Sequence, residues 1–285
     1  RRETNGDGRY ANQAIMWEQR RGLARCGVPF RVYTFDDLRR DNFPEHKVYY
    51  FPNLFRVSDQ RLRLLKEKVF RDGHVVLWGP GSGISDGQTL SPEHAERLTG
   101  FNFEMKRVNY PRRTQVHNYE HPITRSLDPA TIIGGPLAYG PLLFPTDGRS
   151  LGQAWTKRGW VRSGLSVKEF GGGAAGTYTG DAPLGEGDWA SVFTTAVPIP
   201  AELWRGLARF GGAHVYTKSN DVLLASRGLV ALHSVKSGQK TIRLPGPRKV
   251  TDVIAGEVLA ESAEQITFEL DAPATRLFRL EPVEK

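Results

Sequence analysis

The fold is decided by the stretches KVYYFP, residues 47–52, and HVVLWG, residues 74–79. Each is a short, nearly continuous run of β-branched, aromatic and aliphatic residues, as expected of a strand that is covered on both faces. Between them, Ser58 is a good N-cap for a helix that ends near Arg71, and Gly73 is a good C-cap. This succession of strand, helix and strand predicts a parallel, doubly wound sheet.

The neighbouring segments extend the same pattern. Upstream, Tyr10–Arg25 predicts a helix, Cys26 a small buried side chain, and Phe30–Phe35 a strand. Downstream, Ser91 and the proline after it open a helix that Gly100 closes. Such sheets normally open with a strand that feeds the first helix, whereas this sequence opens with the helix. We therefore expect that something precedes residue 1.

Beyond Phe101 the pattern changes to strands and long loops. We expect a strand at His214–Thr217, preceded by a helix that Pro200 opens and the pair of glycines at 211–212 closes. The glycine-rich run 171–176 predicts a flexible loop or exposed arm. Other strands are expected at Trp155–Val161, Leu165–Phe170 and Trp189–Thr195.

From Asn220 onward no helix is predicted. Short β-type runs recur every eight to twelve residues or so, which is typical of a small β-sandwich. At about 65 residues this module is marginal alone and should pack on the first domain. We therefore expect an α/β domain over residues 1–219 and a β module over 220–285. The runs are Val222–Ala225, Leu229–His233, Thr241–Leu244, Val250–Ile254, Ile266–Leu270 and Arg276–Leu280, with turns at 237–238, 245–247 and 255–257.

Composition excludes several classes of protein. Hydrophobic residues make up 39% and charged residues 25%, as in soluble globular domains. No apolar run approaches the roughly 20 residues of a spanning helix, so no membrane partner is expected. The single cysteine excludes an intrachain disulfide and a cysteine-rich zinc site. The sequence lacks an initiator Met and an apolar signal core, which suggests a processed or excised piece, and leaves both a bacterial cytoplasm and export open.

The formal charge of +8 does not by itself indicate a nucleic-acid partner. The basic residues of 61–71 lie on the polar face of an amphipathic helix, and those of 106–113 are interrupted by Pro111, which suggests that they flank a loop. Acidic residues punctuate both clusters, and no nucleic-acid-binding motif accompanies them. We therefore interpret the charge as a solvated surface.

The glycine-rich stretch 79–83 follows a predicted buried strand, at the end of the sheet where ligands usually bind. It matches neither a P-loop nor a dinucleotide fingerprint, because it lacks the required lysine and the third-glycine spacing. It is not a nucleophile elbow, because Pro80 and Ile84 flank Ser82 at the positions where glycines are needed. A tight turn at the sheet edge is the simpler interpretation.

Three other patterns could carry chemistry. His117 to His121 reads H-x-x-E-H, an inverted zinc-protease pattern, but Pro122 disfavours the helix that this pattern needs. Ser85-Asp86 with His94 could form part of a triad, and Asp36-Asp37 a carboxylate pair. Adjacent side chains on a strand point to opposite faces, so turn or cap roles are favoured for these residues. No metal and no cofactor are expected.

A resemblance covers most of residues 10–285. The stretches 47–55, 57–60, 69–80 and 121–127 resemble the glutamine-amidotransferase-like domain of family 42-type β-galactosidases, often called the trimerisation domain. Stretches within 221–278, including Asp221–Ala225 and Lys240–Pro245, look like the β-sandwich tail that follows it. The resemblance implies a flavodoxin-like, class I glutamine-amidotransferase-like fold with a C-terminal β module.

The resemblance does not imply amidotransferase activity, because the loop 79–83 has no thiol where that reaction needs one. In the related galactosidases the catalytic carboxylates lie on a preceding barrel. It therefore implies a non-catalytic accessory region, which associates with other copies, as a trimer for example, or with an upstream barrel. The alternative is a stand-alone hydrolase or sugar-binding protein that uses the loops at the carboxyl ends of the strands. Candidate carbohydrate or interface contacts are Asn53, Phe55, Trp78, Ser82, Asp86 and Tyr139.

Overall fold

The computed structural model describes residues 12–155, 159, 161–171, 184–185, 187–226 and 228–283. Its helices are α1 (Gln19–Arg25), α2 (Asp59–Lys68), α3 (Pro92–Thr99) and α4 (Ala201–Phe210), with a π-helical turn at Gln13–Trp17 and a 3₁₀ turn at Phe35–Arg39. Its strands are β1 (Val48–Phe51), β2 (His74–Trp78), β3 (Phe103–Lys106), β4 (Tyr110–Val116), β5 (Ile132–Tyr139), β6 (Leu142–Pro145), β7 (Arg149–Trp155), β8 (Val161–Phe170), β9 (Trp189–Thr194), β10 (Val222–Ser226), β11 (Leu229–His233), β12 (Gly238–Asp252), β13 (Glu257–Leu270) and β14 (Thr275–Pro282).

The larger sheet is mixed. Its seven strands lie in the order β1-β2-β9-β8-β7-β4-β5. The pairs β1/β2 and β2/β9 are parallel, and every later pair in the sheet is antiparallel. The predicted parallel, doubly wound arrangement is therefore present in the first three strands, while the other four form an antiparallel extension. The α/β class is confirmed in this coarser form.

Strand β2 is buried along its whole length. Val75 and Leu77 belong to the apolar cluster that contains α1 and α4. Val76 and Trp78 belong to a second cluster, which contains α2 and α3. Because successive side chains of a strand point to opposite faces, helices on both sides of the sheet are needed to bury this run.

The predicted start of α2 and both predicted ends of α3 are confirmed, whereas α2 ends at Lys68 with Val69 as its C-cap and not near Arg71. The Ser58 hydroxyl accepts a hydrogen bond from the Arg61 N–H at 3.3 Å, as an N-cap does. Pro92 is the first residue of α3, and Gly100 ends that helix with a φ of 78°. Cys26 is buried as predicted, directly after α1.

Two predicted strands are absent from the sheets of the described structure. Phe30–Phe35 makes no strand in the described structure, because Thr34 donates its N–H and its hydroxyl to Asp37, both at 2.8 Å, and starts the 3₁₀ turn. His214–Thr217 is not part of a sheet. Instead, the Tyr216 N–H donates to the Gly27 carbonyl at 2.8 Å, and its carbonyl accepts from Arg243 N–H at 2.7 Å. This segment therefore joins the two parts of the chain.

The two ends of the predicted strand Trp155–Val161 belong to two different strands. Trp155 ends β7 and Val161 begins β8, and the two residues face each other across the pair. Residues 156–158 and 160, the glycine run from 172 to 176, and Tyr10 at the predicted start of the first helix lie outside the described residues. The strands predicted at Leu165–Phe170 and from Trp189 are confirmed as parts of β8 and β9.

The C-terminal strands form one five-stranded antiparallel sheet, in the order β10-β11-β14-β12-β13. The runs predicted at Thr241–Leu244 and from Val250 merge into the long strand β12, since the turn predicted at 245–247 is only a shift of register within it. The sheet has its own apolar cluster, which includes Leu232 and Phe278. The predicted all-β character is confirmed, but the strands hydrogen-bond into one sheet and not into two.

We expect Gly83→Ala to destabilise the α/β region strongly. Gly83 has a φ of 73°, and a Cβ atom there would lie 3.0 Å from Ala95 Cα in α3. The left-handed conformation costs about 1–2 kcal/mol for a residue with a Cβ, and overpacking adds about 1–3 kcal/mol. The free energy of unfolding, measured in urea by tryptophan fluorescence, should fall by the sum of these two costs.

Gly212→Ala is the matched control for this prediction. Gly212 has nearly the same φ, 76°, but a Cβ atom there would meet nothing within 4 Å. The free energy of unfolding of this variant should therefore fall only by the cost of the left-handed conformation, about 1–2 kcal/mol. Equal losses in the two variants would contradict the close packing of Gly83 against α3.

Candidate functional site

The candidate site lies at the carboxyl ends of β1 and β2. Two segments meet there, residues 52–57 after β1 and residues 79–90 after β2, and we call them the carboxyl-edge loops. The Gly83 N–H donates to the Leu54 carbonyl at 2.7 Å, and the Ser85 N–H donates to the Phe55 carbonyl at 2.9 Å. Backbone hydrogen bonds therefore fasten the two loops to each other.

The glycines of 79–83 let this turn pack against its own chain. A Cβ atom on Gly79 would lie 2.5 Å from the Pro52 carbonyl oxygen. At Gly81, whose φ is 76°, it would touch the ring of Phe55 at 3.4 Å. The interpretation as a tight turn is therefore supported, and the N–H groups of Ser82, Gly83 and Ile84, which a phosphate would need, donate to backbone carbonyls instead.

Three of the six candidate residues are buried. Trp78 donates its indole N–H to the Ser191 hydroxyl at 2.9 Å, and its ring stacks on Phe51 with centroids 5.2 Å apart. Ser82 donates its hydroxyl to the Phe51 carbonyl at 3.2 Å. These two side chains therefore hold β2 and its loop in place, and their polar atoms are already engaged.

Tyr139 is the third buried candidate, and it lies on β5 and not on the carboxyl-edge loops. Its hydroxyl donates to the Thr195 carbonyl at 2.8 Å and accepts from the Val197 N–H at 3.2 Å. Burial raises the pKa of this phenol, so the proton stays on it. The structure thus places Tyr139 as a support for the segment that follows β9.

The other three candidates are exposed on the carboxyl-edge loops. Asn53 and Phe55 follow β1, and the side chain of Asp86 lies on the loop after β2. The Asp86 carboxylate accepts from the N–H groups of Gln88 and Thr89 at 2.7 and 2.8 Å. These donors hold the pKa of Asp86 below its ordinary value. The structure therefore brings Asn53, Phe55 and Asp86 to one edge of the sheet.

The other patterns do not converge on a catalytic site. The Ser85 hydroxyl accepts from the Gly87 N–H at 3.0 Å, while Asp86 lies 3.5 Å from His94 Nε2, so the three side chains do not form a relay. Asp36 contacts Arg39 at 3.2 Å, whereas Asp37 faces Thr34 on the other side of the turn. The cap and turn roles predicted for these residues are supported.

The H-x-x-E-H pattern does not build a zinc site. His117 is exposed and Glu120 contacts Arg149 at 3.2 Å, whereas His121 is fully buried. His121 Nε2 lies 3.4 Å from Glu169, and its Nδ1 accepts from the Ile123 N–H at 3.2 Å. Within the described parts of the chain, no three His, Cys, Asp or Glu side chains could hold a metal ion together.

Two features were not foreseen from the sequence. The buried pair of His121 and Glu169 joins residues far apart in the chain, and no local signal marks it. Arg112 was expected beside a loop, but it lies fully buried in β4, with its guanidinium 5.6 Å from the centre of the Tyr110 ring. Burial lowers the pKa of Arg112 to about 10. One residue of the basic cluster at 106–113, Arg112, is therefore part of the buried core and not of the solvated surface.

Cys26 offers no nucleophile at the candidate site. Its thiol is buried in the cluster of α1 and α4 and donates to the Leu23 carbonyl at 3.0 Å. Burial raises the pKa of this thiol, so the reactive thiolate is disfavoured.

None of the described helices has the length and apolar character needed to cross a bilayer.

Comparisons with known proteins give a likeness of fold. No family model matches the sequence, and no curated protein matches it. The structure is similar to a β-galactosidase from Bacillus circulans sp. alkalophilus, with a TM-score of 0.57 and 13% identity over 95% of this chain and 37% of that one. It is also similar to a GH42 β-galactosidase from G. stearothermophilus, with a TM-score of 0.57 and 16% identity over 94% and 36%.

A third similar structure is the β-galactosidase from Rahnella sp. R3, with a TM-score of 0.57, 12% identity, and coverage of 93% of this chain and 36% of that one. The chain therefore spans little more than a third of the enzymes that it matches. The resemblance inferred from the sequence is confirmed in this coarser form, as a likeness to a partial region of β-galactosidases.

We expect the carboxylate of Asp86 to organise residues 86–89 in a pH-dependent way. The pKa of Asp86 in the folded protein lies below its pKa in the unfolded chain. Ionised Asp86 therefore stabilises the loop fully at pH values above the pKa of the unfolded chain. That stabilisation is lost as the pH falls through the folded-state pKa. NMR should show the amide shifts of Gln88 and Thr89 moving together in that acidic range.

Asp86→Asn is the control, because it keeps an acceptor oxygen but does not titrate. Its Gln88 and Thr89 amide shifts should stay constant over the same pH range. An Asp86 carboxyl whose pKa equals or exceeds that of a free aspartate would contradict the hydrogen bonds from the Gln88 and Thr89 N–H groups.

Proposed function

We propose that this chain is a non-catalytic accessory region of a β-galactosidase-like glycoside hydrolase whose catalytic barrel is not in this chain. The observation that carries the proposal is the likeness of fold over 93–95% of this chain to 36–37% of three β-galactosidases. A segment that matches only a part of larger enzymes fits a supporting role within such an enzyme.

The chemistry of the candidate site supports the same proposal. Glycoside hydrolysis needs two carboxyl groups that flank one bond. The carboxyl-edge loops contain a single acidic residue, Asp86. Its carboxylate already accepts two backbone N–H groups of its own loop. The thiol that an amidotransferase would use is absent from these loops, since Cys26 is the only cysteine of the chain.

We further propose that residues 1–219 form a glutamine-amidotransferase-like, flavodoxin-like domain and residues 220–285 a separate all-β module. In support, β1, β2 and β9 are parallel and have helices on both faces. The C-terminal strands have a sheet and an apolar cluster of their own. The antiparallel strands β8, β7, β4 and β5 are an extension of the flavodoxin-like pattern.

In such an enzyme the chain would associate with other copies, as a trimer for example, or with the catalytic barrel. The exposed candidates Asn53, Phe55 and Asp86 would then contact a neighbouring subunit or shape the rim of its active site. Two features favour this edge as a contact surface: it is held rigid by the hydrogen bonds between its loops, and it presents an aromatic ring that is 38% exposed.

We expect the isolated chain to be inactive on an aryl β-galactoside. Release of the aryl alcohol should not exceed that in buffer, and Asp86→Asn should change nothing. A full β-galactosidase assayed in parallel is the positive control. Turnover that scales with the concentration of this chain and is abolished by one substitution within it would overturn the proposal.

The alternative, a stand-alone sugar-binding protein or hydrolase, is favoured by one observation. Phe55 and Asn53 are both exposed and lie two residues apart on the same loop, and an aromatic ring and an amide can stack on and hydrogen-bond a sugar. Under this alternative, isothermal titration would detect galactose binding, which Phe55→Ala weakens about fivefold by removing the stacking contact. Trp17→Ala, which removes another exposed ring, would leave binding unchanged. The accessory role predicts no saturable binding of galactose to the unmodified chain, to Phe55→Ala or to Trp17→Ala.

A further inference from the structure

The antiparallel extension of the larger sheet, strands β5, β4, β7 and β8, has one buried face and one open face. Along β4 the exposure of the side chains alternates: Thr114 and Val116 are buried, whereas Arg113 and Gln115 are exposed. Val116 belongs to the apolar cluster that contains α1 and α4. Because successive side chains of a strand point to opposite faces, Arg113 and Gln115 share a second face, which is open to solvent. We call it the outer face.

The register of the strands brings four residues of β4 and β7 together on the outer face. Arg113 lies directly opposite Trp155, and Gln115 lies directly opposite Gln153. Side chains that face each other across an antiparallel pair have Cβ atoms about 4.5–5.5 Å apart, and diagonal neighbours lie about 7–8 Å apart. One aromatic ring, two amides and one guanidinium therefore lie within reach of a single ligand.

The flanking strands extend this group into a strip. Val161 on β8 lies opposite Trp155, and Ile132 on β5 lies opposite Gln115. Since neighbouring strands lie about 4.8 Å apart, the four strands span about 14 Å. The strip is therefore long enough for a chain of small rings laid across the strands.

The groups on the outer face are available to a ligand. The Trp155 side chain is 51% exposed. Within the described residues, the side chains of Arg113, Gln115 and Gln153 form no hydrogen bond or ion pair. The polar groups of the carboxyl-edge loops, in contrast, are largely engaged by their own backbone. The outer face thus combines an exposed ring with unengaged hydrogen-bonding groups.

The chemistry of these side chains selects a neutral ligand that is rich in hydroxyl groups. The indole ring offers an apolar surface on which the C–H groups of a sugar ring can stack. Each amide both donates and accepts hydrogen bonds, as two neighbouring hydroxyls do. Arg113 is the single cation among the four side chains, although the chain has a formal charge of +8. A single-stranded nucleic acid would need a groove of cations beside the ring.

We propose that the outer face of β4 and β7 binds a chain of neutral sugars. Trp155 stacks on one sugar ring, and the side chains of Gln115 and Gln153 hydrogen-bond its hydroxyls and those of its neighbour. The choice of a sugar over other hydroxyl-rich ligands rests on the proposed role in a glycoside hydrolase. A single galactose would cover only part of the strip, so saturable binding is expected for an oligosaccharide and not for the monosaccharide.

This surface is distinct from the carboxyl-edge loops. Those loops follow β1 and β2, whereas β7 and β4 are separated from β2 in the sheet by β9 and β8. It would hold a polysaccharide beside the enzyme and would take no part in bond cleavage.

The test is isothermal titration of residues 1–285 with a β-1,4-linked galactotetraose. We expect saturable binding that Trp155→Ala weakens at least about tenfold, because the stacking contact is lost. Gln115→Ala and Gln153→Ala should each weaken binding about twofold to tenfold, as the loss of one hydrogen bond does. Trp17→Ala is the matched control, because Trp17 is 65% exposed but lies in the π-helical turn. It should leave binding unchanged.

A second measurement does not depend on the folding of any variant. In NMR spectra of the unmodified chain, the tetrasaccharide should shift the side-chain amide signals of Gln115 and Gln153 and the indole N–H signal of Trp155. The indole N–H signal of Trp78, which is fully buried, should stay in place.

Three results would overturn the proposal. One is the absence of saturable binding of the tetrasaccharide. Another is binding that Trp155→Ala leaves unchanged and Phe55→Ala abolishes, which would place the sugar at the carboxyl-edge loops. The third is tighter binding of a single-stranded oligonucleotide than of the tetrasaccharide, with dependence on Trp155. The first and third results leave the accessory role standing, because that role is tested by turnover of an aryl β-galactoside.

Discussion

The structure depends on the complete burial of β2 in the middle of the parallel strands. A run of five buried residues, from His74 to Trp78, can be stable only if apolar material covers both faces of the sheet. The sequence provides this cover with α2 and α3 on one face and α1 and α4 on the other. The positions of the helices, and so of the loops between strands and helices, follow from this single requirement.

Hydrogen bonds within the carboxyl-edge loops hold these loops in place. Backbone hydrogen bonds join the segment after β1 to the segment after β2, and the glycines allow the close approach. The polar groups of Ser82 and Asp86 bind neighbouring backbone groups. The carboxyl-edge loops therefore have the character of a fixed surface.

Local patterns in the sequence predicted the elements around β2 correctly. The caps at Ser58 and Gly100 act through neighbouring residues, so they can be recognised without knowledge of the fold. The segment at residues 30–35 was misassigned because a strand needs a partner, and composition does not reveal whether one is present. The turn predicted at 245–247 failed for a related reason, since β13 pairs with β12 on both sides of it.

The candidate site was predicted in part. The sequence located the loops after the two strands, because a strand followed by glycines is a local signal. It could not tell that Trp78 and Ser82 face inward while Phe55 faces solvent, since that depends on which helices pack on the sheet. The contacts of Tyr139 with the segment after β9, and of His121 with Glu169, join distant parts of the chain and have no local signature.

The extended segment around Tyr216 connects the two parts of the molecule through its backbone. Its N–H is bound to Gly27 beside the first helix, and its carbonyl is bound to Arg243 in the second sheet. The His214 ring adds a contact with the Arg243 carbonyl at 2.9 Å. The linker between the α/β part and the C-terminal sheet is therefore hydrogen-bonded to both of them.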